Sequence, residues 1–162
     1  MNIAFSRLIG TLVLLASTAA QAACPSVATA TRFELNGAEV KDKITNLVWA
    51  RCSVGQTWSG STCTGSASIL AHEPALQHAK DQTVWRLPNV KELASLADKG
   101  CISAAIDRTA FPATPASDFW SASSILEFAS SVWVVNFNNG AVTSGGGRTG
   151  SAYHVRLVRA SQ

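Results

Sequence analysis

Residues 85–93 constrain the fold of this chain more than any other stretch. They read Trp-Arg-Leu-Pro-Asn-Val-Lys-Glu-Leu, and apolar residues continue at helical spacing up to a glycine that suits a helix stop. Asn89, followed three residues later by Glu92, is the capping-box pattern of a helix start. The segment therefore predicts an amphipathic helix over residues 90–99, with Trp85 as a core anchor ahead of it.

The first 22 residues have the pattern of a secretory signal peptide. Arg7 precedes a short apolar run, and Ala20-Gln21-Ala22 is a small-x-small cleavage pattern. The apolar run is too short to predict a membrane-spanning helix. We therefore expect residues 1–22 to be a signal peptide and residues 23–162 to form the exported domain, which would be periplasmic, secreted or on the cell surface.

The mature chain is nearly neutral. Removal of the signal peptide takes away one basic residue and leaves 12 basic and 10 acidic residues. No run of Lys or Arg and no basic stripe occurs in the sequence, which argues against a nucleic acid partner. A chain of this length buries one ordinary core, so we expect a single domain. The sequence does not indicate an oligomeric state.

All four cysteines follow the predicted cleavage point, in a chain bound for an oxidising compartment. We therefore expect two disulfides. Four cysteines allow three pairings, and sequence position favours one of them. Cys52 with Cys63 would close a polar loop rich in Gly, Ser and Thr, and Cys24 with Cys101 would tie the N-terminus to the segment after the capped helix.

The sequence predicts no metal site, no cofactor and no catalytic residue. It has no C-x-x-C motif, its three histidines show no ligand spacing, and its aspartates form no D-x-D-x-D-G calcium loop. No serine lies in a G-x-S-x-G motif. These patterns favour structural roles for the histidines, aspartates and cysteines.

Strands are predicted at both ends of the chain, with helices between them. The strands cover residues 32–35, 39–42, 47–51, 119–123, 131–137, 141–143 and 152–159. The two short helices cover residues 73–81 and 90–99. Hairpin turns are predicted at Asn36-Gly37 and at Asn138-Asn139-Gly140, and a glycine-rich loop at residues 144–151. The order predicts an α+β domain whose terminal strands share one antiparallel sheet.

Short segments along nearly the whole mature chain carry a family resemblance. They are Val40-Lys41-Asp42, Asn46-Leu47-Val48-Trp49, Trp85-Arg86-Leu87-Pro88-Asn89, Lys91-Glu92-Leu93, Ile106-Asp107, Phe111-Pro112, Phe119-Trp120-Ser121-Ala122-Ser123, Trp133-Val134-Val135-Asn136-Phe137 and Val155-Arg156-Leu157-Val158-Arg159. In this order and spacing they resemble the Lcl C-terminal domain family, a bacterial family of unknown function. The resemblance implies a fold similar to C-type lectin and formylglycine-generating-enzyme-like domains, with long loops that present ligand.

The same resemblance implies binding rather than established catalysis. In the collagen-like adhesin that names the family, this type of domain is associated with sulfated polysaccharides. The collagen-like Gly-x-y region is absent from this chain, which weakens an inference of trimeric adhesion. The implied partner is a polysaccharide or a protein of the envelope or of a host surface.

Four residues are candidates for ligand contact. Trp58 lies in the middle of the loop between Cys52 and Cys63, where contact with ligand and anchoring of the loop are equally open. Asn138 and Asn139 lie in a predicted turn, and Arg148 lies in the glycine-rich loop. The other four tryptophans lie in apolar element patterns, which favours packing in the core. They are Trp49, Trp85, Trp120 and Trp133.

Three arginines in the matched segments are predicted to pair with carboxylates rather than with ligand. They are Arg86, Arg156 and Arg159. Two of them, Arg156 and Arg159, lie three residues apart in a predicted strand, so their side chains leave on different faces.

Three functions follow from these patterns. The first is an exported, non-catalytic domain that binds a glycan or a surface partner through its loops. The second is a structural protein–protein interaction module of the envelope. The third is a redox or oxidative enzyme, which the structural pairing of all four cysteines disfavours.

Overall fold

The computed structural model describes residues 27–162. The predicted signal peptide and Cys24 lie outside the described residues. The helices are α1 (Thr29–Arg32), α2 (His72–Lys80) and α3 (Val90–Ser95). The strands are β1 (Phe33–Asn36), β2 (Glu39–Asp42), β3 (Leu47–Ala50), β4 (Thr57–Trp58), β5 (Cys63–Thr64), β6 (Leu70–Ala71), β7 (Asp118–Ile125), β8 (Phe128–Asn136), β9 (Val142–Gly147), β10 (Ala152–Tyr153) and β11 (Val158–Ala160). The described part is mostly β with a few short helices, as an α+β domain is. The two predicted helices are present as α2 and α3, whereas the single turn α1 was not predicted.

The largest sheet joins the two ends of the chain. Its antiparallel order is β1-β2-β3-β11, so the predicted sharing of one sheet by the terminal strands is confirmed. The Asn36-Gly37 turn connects β1 and β2, and Gly37 has the positive φ of 55° that such a turn requires. In the middle of the sheet, Trp49 pairs with Val40 on one side and Val158 on the other. All three side chains are buried.

The second sheet has the order β7-β8-β9 and corrects the prediction of a glycine-rich loop. Residues 144–147 belong to β9 and pair with residues 131–133 of β8. Gly145 is buried, and a Cβ atom at this position would lie 3.0 Å from the Tyr153 ring and 3.2 Å from the Trp120 ring. The glycine therefore permits close packing of a strand, which composition alone did not distinguish from a flexible loop.

The predicted C-terminal strand over residues 152–159 is interrupted. β10 pairs with β6, whereas β11 pairs with β3 in the largest sheet. The intervening residues 154–157 are all buried as the chain passes from one sheet to the other. Two different pairing partners thus divide one alternating pattern into two short strands.

Two clusters of buried side chains form the core. The first joins the largest sheet to α3 and contains Phe33, Val40, Trp49, Leu93, Leu96, Ile106, Ala110, Phe111, Phe119, Val135, Phe137 and Val158. The second lies between α2 and the second sheet and contains Ala75, Ala79, Leu87, Trp120, Val132, Val134, Val155 and Leu157. Trp49 and Trp120 are fully buried, which confirms their predicted packing role. Trp85 and Trp133 are only partly buried.

The predicted capping box at the start of α3 is present. The Asn89 side chain accepts a hydrogen bond from the Glu92 backbone N–H at 2.9 Å, and the Glu92 carboxylate accepts one from the Asn89 N–H at 2.8 Å. Arg86 donates to both carboxylate oxygens of Glu92 at 2.8 Å, as predicted for this arginine. The hydrogen bond from Arg86 lowers the pKa of Glu92 although burial opposes it. The cap is therefore held by a charged pair as well as by the backbone.

Helix α3 ends four residues before its predicted end at residue 99, at Ser95. The next N–H, of Leu96, donates to the Leu93 carbonyl, a tighter i to i−3 bond. The Asp98 N–H then donates to the Ala105 carbonyl at 3.0 Å. The helix stops because the residues that follow it pair with Ala105 and Ile106, a few residues further along the chain.

Replacement of Asn89 by Ala should lower the free energy of unfolding by about 1 kcal/mol, because the first turn of α3 loses its side-chain acceptor. Urea denaturation at neutral pH measures this difference. Lys91→Ala, an exposed change in the same helix, is the matched control and should leave the midpoint nearly unchanged. Equal midpoints for Asn89→Ala and the parent would contradict an energetic role for the cap.

Candidate functional site

A groove of about 470 Å³ lies between the disulfide-closed loop and the end of α2. Its walls carry two indole rings together with amide, imidazole and carboxylate side chains. These side chains belong to Glu39, Gln56, Trp58, His78, Gln82 and Trp85. The volume falls within the ~300–1,000 Å³ of small-molecule sites in proteins. We take this groove as the candidate site.

The predicted Cys52–Cys63 disulfide is formed and closes the loop that carries Trp58. Inside the closed loop β4 and β5 pair, and Trp58 lies opposite Cys63. The loop is therefore a short hairpin with a fixed register rather than a free excursion. This is the one disulfide between two described cysteines. The predicted partner of Cys101, Cys24, lies outside the described residues, so that pairing stays a prediction.

The Arg51 guanidinium supports the Trp58 ring from beneath the loop. Its carbon lies 4.1 Å from the centroid of the ring, within the range of a cation–π contact. The same guanidinium donates hydrogen bonds to the backbone carbonyls of Ala110 at 2.9 Å, Thr109 at 2.7 Å and Gly37 at 3.1 Å. Three backbone acceptors thus fix the surface on which Trp58 rests, so the structure shows the anchoring role that the sequence left open.

Arg156 fixes the base of the loop from the opposite direction. Its guanidinium, which is fully buried, donates to the backbone carbonyls of Ala50 and Arg51 and to the hydroxyls of Ser53 and Thr114. Burial lowers its pKa to about 9. The predicted pairing of this arginine with a carboxylate is wrong, because carbonyl and hydroxyl oxygens supply its acceptors.

Trp85 forms another wall of the groove and is positioned by an ion pair. Arg159 donates to the Glu39 carboxylate at 2.6 Å, which confirms the predicted carboxylate partner of this arginine. The Arg159 guanidinium carbon lies 5.4 Å from the centroid of the Trp85 ring. Trp85 also packs against the second core cluster. One part of the Trp85 side chain therefore packs against the core while another part lines the groove, whereas the sequence predicted only the packing role.

The predicted ligand residues Asn138 and Asn139 lie outside this groove, in the turn after β8. The Asn138 carbonyl accepts a hydrogen bond from the Ser103 N–H at 2.7 Å. The Asn139 side chain accepts one from the Ala141 N–H at 3.0 Å. Asn139 therefore stabilises the turn itself, and Asn138 connects the turn to Ser103.

Arg148 follows β9 at the end of the strand opposite to these asparagines. A strand of this length spans about 17–20 Å, so the structure does not bring Arg148 and the asparagines together. The Arg148 guanidinium donates to the Ser124 hydroxyl, its N–H donates to the Ser130 carbonyl at 2.9 Å, and its carbonyl accepts from the His72 N–H at 3.3 Å. Of the four predicted ligand residues, only Trp58 lines the groove.

The imidazole of His72, next to Arg148, is a buried packing group. Its Nε2 lies 3.0 Å from the Ser121 carbonyl, so this nitrogen carries the hydrogen. The ring contacts the Trp120 ring edge to face at 5.0 Å between centroids. Burial lowers the pKa of His72 against the opposing effect of that hydrogen bond, so the ring is neutral at pH 7.

A second surface feature is an exposed apolar cluster at the β7–β8 hairpin, here called the hairpin patch. It consists of Ile125, Leu126, Phe128 and Trp133, and it borders a concave surface of about 570 Å³. Leu126 is 99% exposed and Phe128 is 63% exposed. Single exposed apolar side chains are ordinary, whereas neighbouring ones that form a continuous patch are typical of an interaction surface.

Residues 27–162 contain neither a metal-binding cluster nor a membrane-spanning helix. No group of three or more His, Cys, Asp or Glu side chains in this part of the chain is placed to hold a metal ion. Within the same range, no helix is long and apolar enough to cross a membrane.

The fold and the groove define a mostly β domain in which a disulfide-closed hairpin and the end of a short helix border one cleft. A comparison with family models matches the Lcl C-terminal domain over residues 38–159. The chain belongs to this family, as its sequence segments predicted. Comparisons with curated proteins and with solved structures find no match.

Sequence reasoning missed most of the groove. His78 lies in α2 and Gln82 lies just after the end of this helix, and neither was predicted to line a site. Trp85 was predicted to pack in the core alone. One signal was present in the sequence: Trp85 comes shortly after the polar residues Asp81, Gln82 and Thr83, and tryptophan is enriched where one part of its ring is packed and the other is wet. The approach of α2 to the disulfide loop is a long-range contact that no local pattern encodes.

Replacement of Arg51 by Lys should release the Trp58 ring. A lysine has no planar fork for three carbonyls, so we expect a loss of about 1–3 kcal/mol of stability and a changed environment for the indole. The measurements are urea denaturation and the indole N–H signal of Trp58 in NMR, assigned with Trp58→Phe. Arg108→Lys is the control, because Arg108 is exposed and precedes Thr109 and Ala110, two of the residues whose carbonyls accept from Arg51. An unmoved Trp58 signal in Arg51→Lys would contradict the supporting role of Arg51.

Proposed function

We propose that this chain is an exported, non-catalytic binding domain that recognises a glycan in the groove beside the Cys52–Cys63 loop. One observation carries the proposal: two partly buried indole rings, Trp58 and Trp85, line the same groove. Aromatic faces bind the apolar faces of pyranose rings, and rings held by their surroundings lose little entropy on binding. Both rings here rest against fixed guanidinium groups.

The polar side chains of the groove suit sugar hydroxyls. Gln56 and Gln82 offer amides that donate and accept, and His78 offers a ring with one of each in its neutral form. Gln56 is already oriented, because its oxygen accepts from the Ser53 N–H at 3.1 Å and its nitrogen donates to the Ala113 carbonyl at 3.1 Å. One amide hydrogen and one lone pair of the Gln56 oxygen stay available for a ligand.

Export and architecture are part of the same proposal. The pattern of residues 1–22 and the Cys52–Cys63 disulfide support an exported chain. Membership of the Lcl C-terminal domain family supports a C-type lectin-like architecture, in which loops present the ligand site. A disulfide between Cys52 and Cys63 also leaves these two sulfurs without the free thiol that oxidative cysteine chemistry uses, which supports a binding role over an enzymatic one.

The groove proposal predicts that glycan binding depends on Trp58. A glycan array should identify bound sugars, and titration of one bound oligosaccharide should show a loss of at least about tenfold in affinity for Trp58→Ala. Trp58→Phe should retain part of the affinity because it keeps an aromatic face. Asn139→Ala, a turn residue outside the groove, is the control and should bind like the parent, with melting curves recorded for all variants. Silence across the array would contradict the proposal.

A second candidate function, a protein interaction module of the envelope, is favoured by the hairpin patch. Leu126 is almost completely exposed at the tip of the hairpin, and Phe128 and Trp133 extend the apolar surface along the adjoining strand. Apolar side chains in this arrangement are typical of contacts with another protein. The two functions use different surfaces and so are separable by substitution.

A double change, Leu126→Ser with Phe128→Ser, should abolish any protein contact made through the hairpin patch, because both exposed apolar side chains are lost. The measurement is crosslinking in envelope extracts followed by identification of the crosslinked partner. Ile69→Ser, an exposed apolar residue elsewhere on the surface, is the matched control and should crosslink like the parent. A crosslinked partner that persists in the double variant would contradict this function.

A further inference from the structure

The charge of the groove is unusual for a site meant to hold an acidic polymer. Among the described residues, neither a lysine nor an arginine lines the groove, and its one formally charged side chain is the Glu39 carboxylate. Proteins that hold sulfate or carboxylate groups place guanidinium or ammonium groups where those groups arrive. The groove presents indole, amide and imidazole surfaces instead.

The arginines next to the groove are committed to the protein. Arg51 is 7% exposed and spends its donors on three backbone carbonyls while it supports Trp58. Arg156 is 0% exposed and donates to carbonyls and hydroxyls at the base of the loop. Neither guanidinium can reach a ligand without breaking hydrogen bonds of the fold.

The third neighbouring arginine, Arg159, has its charge matched within the protein. It donates to the Glu39 carboxylate at 2.6 Å and lies over the Trp85 ring. An incoming sulfate or uronate would have to compete with Glu39 for this guanidinium and would be repelled by the same carboxylate. An uncharged sugar meets no such competition, because its hydroxyls can hydrogen-bond to the carboxylate and to the amides.

We infer that the groove binds an uncharged, hydroxyl-rich pyranose chain and excludes polyanionic glycans. This inference rests on the proposed glycan-binding function and specifies its substrate class. Selectivity comes from aromatic stacking on Trp58 and Trp85 together with neutral hydrogen bonding, and from the absence of a cation among the groove-lining residues of the described chain. Binding in this groove is therefore insensitive to salt.

The experiment compares hexasaccharides of equal length and different charge. The neutral probes are cellohexaose, maltohexaose and chitohexaose, and the polyanionic probe is a heparin hexasaccharide. Each is titrated into the mature protein at about 20 mM and about 300 mM NaCl, with the indole N–H signals of Trp58 and Trp85 followed by NMR. We expect a neutral probe to shift both signals with a Kd that changes by less than about twofold between the two salt concentrations. We expect the heparin probe to leave both signals unmoved.

The outcomes separate this inference from the function on which it rests. Heparin shifts of the Trp58 signal that disappear at high salt would overturn the inference and leave glycan binding in place. Silence of all four probes at both tryptophans would overturn the inference and, together with a silent array, the proposed function. Heparin binding that leaves the Trp58 and Trp85 signals unmoved would lie outside the groove and would support the inference when a neutral probe moves them.

A charge-adding variant tests the physical cause. Gln82 is exposed at the edge of the groove, so Gln82→Lys adds a cation there at little cost to the fold. We expect this variant to gain heparin binding that moves the Trp58 signal at low salt and is lost at high salt. Gln77→Lys, an exposed change on α2 outside the groove, is the matched control and should gain no Trp58 shift with heparin. Equal heparin responses in the two lysine variants would contradict the inference.

Discussion

The groove depends on the buried guanidinium of Arg156, which has no carboxylate partner among the described residues. Its hydrogen bonds fix the backbone from which the groove-lining loop begins. It is fully buried, and burial lowers its pKa to about 9, so it stays charged at neutral pH. Phe111 packs 4.9 Å from the guanidinium carbon, and the charge is satisfied by the backbone carbonyls of Ala50 and Arg51 and by two hydroxyls. An unpaired buried charge is costly, so these acceptors cannot move independently of it. The C-terminal segment thereby fixes the end of β3.

The groove inherits its geometry from this constraint. Arg156 holds the backbone carbonyls of Ala50 and Arg51 and the Ser53 hydroxyl, and the side chain of Arg51 extends from this held backbone to support Trp58. The disulfide then closes the hairpin that carries Trp58. Arg156 thus fixes the backbone of Arg51, and the Arg51 guanidinium in turn fixes the position of the Trp58 ring. The position of this ring is therefore set by hydrogen bonds and packing within the fold, and a ring held in this way would lose little entropy if it were covered.

Local patterns predicted local structure well and the site poorly. The capping box at Asn89, the Asn36-Gly37 turn and the disulfide between Cys52 and Cys63 all depend on residues close in sequence, and all are present. The failures involve distant partners. Arg156 donates to backbone carbonyls more than 100 residues away, Gly145 of β9 packs against rings from other strands, and α2 approaches the disulfide loop. Composition cannot report such contacts because it carries no information about which surfaces meet.

The family segment at residues 85–93 links scaffold and groove. Its capping box and the Arg86–Glu92 pair serve only the start of α3. Trp85, however, packs against the second core cluster and lines the groove, so the same segment contributes directly to the groove wall. Trp58, by contrast, lies in the hairpin closed by the Cys52–Cys63 disulfide and is supported by Arg51. The two indole rings of the groove are therefore held by different parts of the fold, Trp85 by the core and Trp58 by a disulfide-closed hairpin.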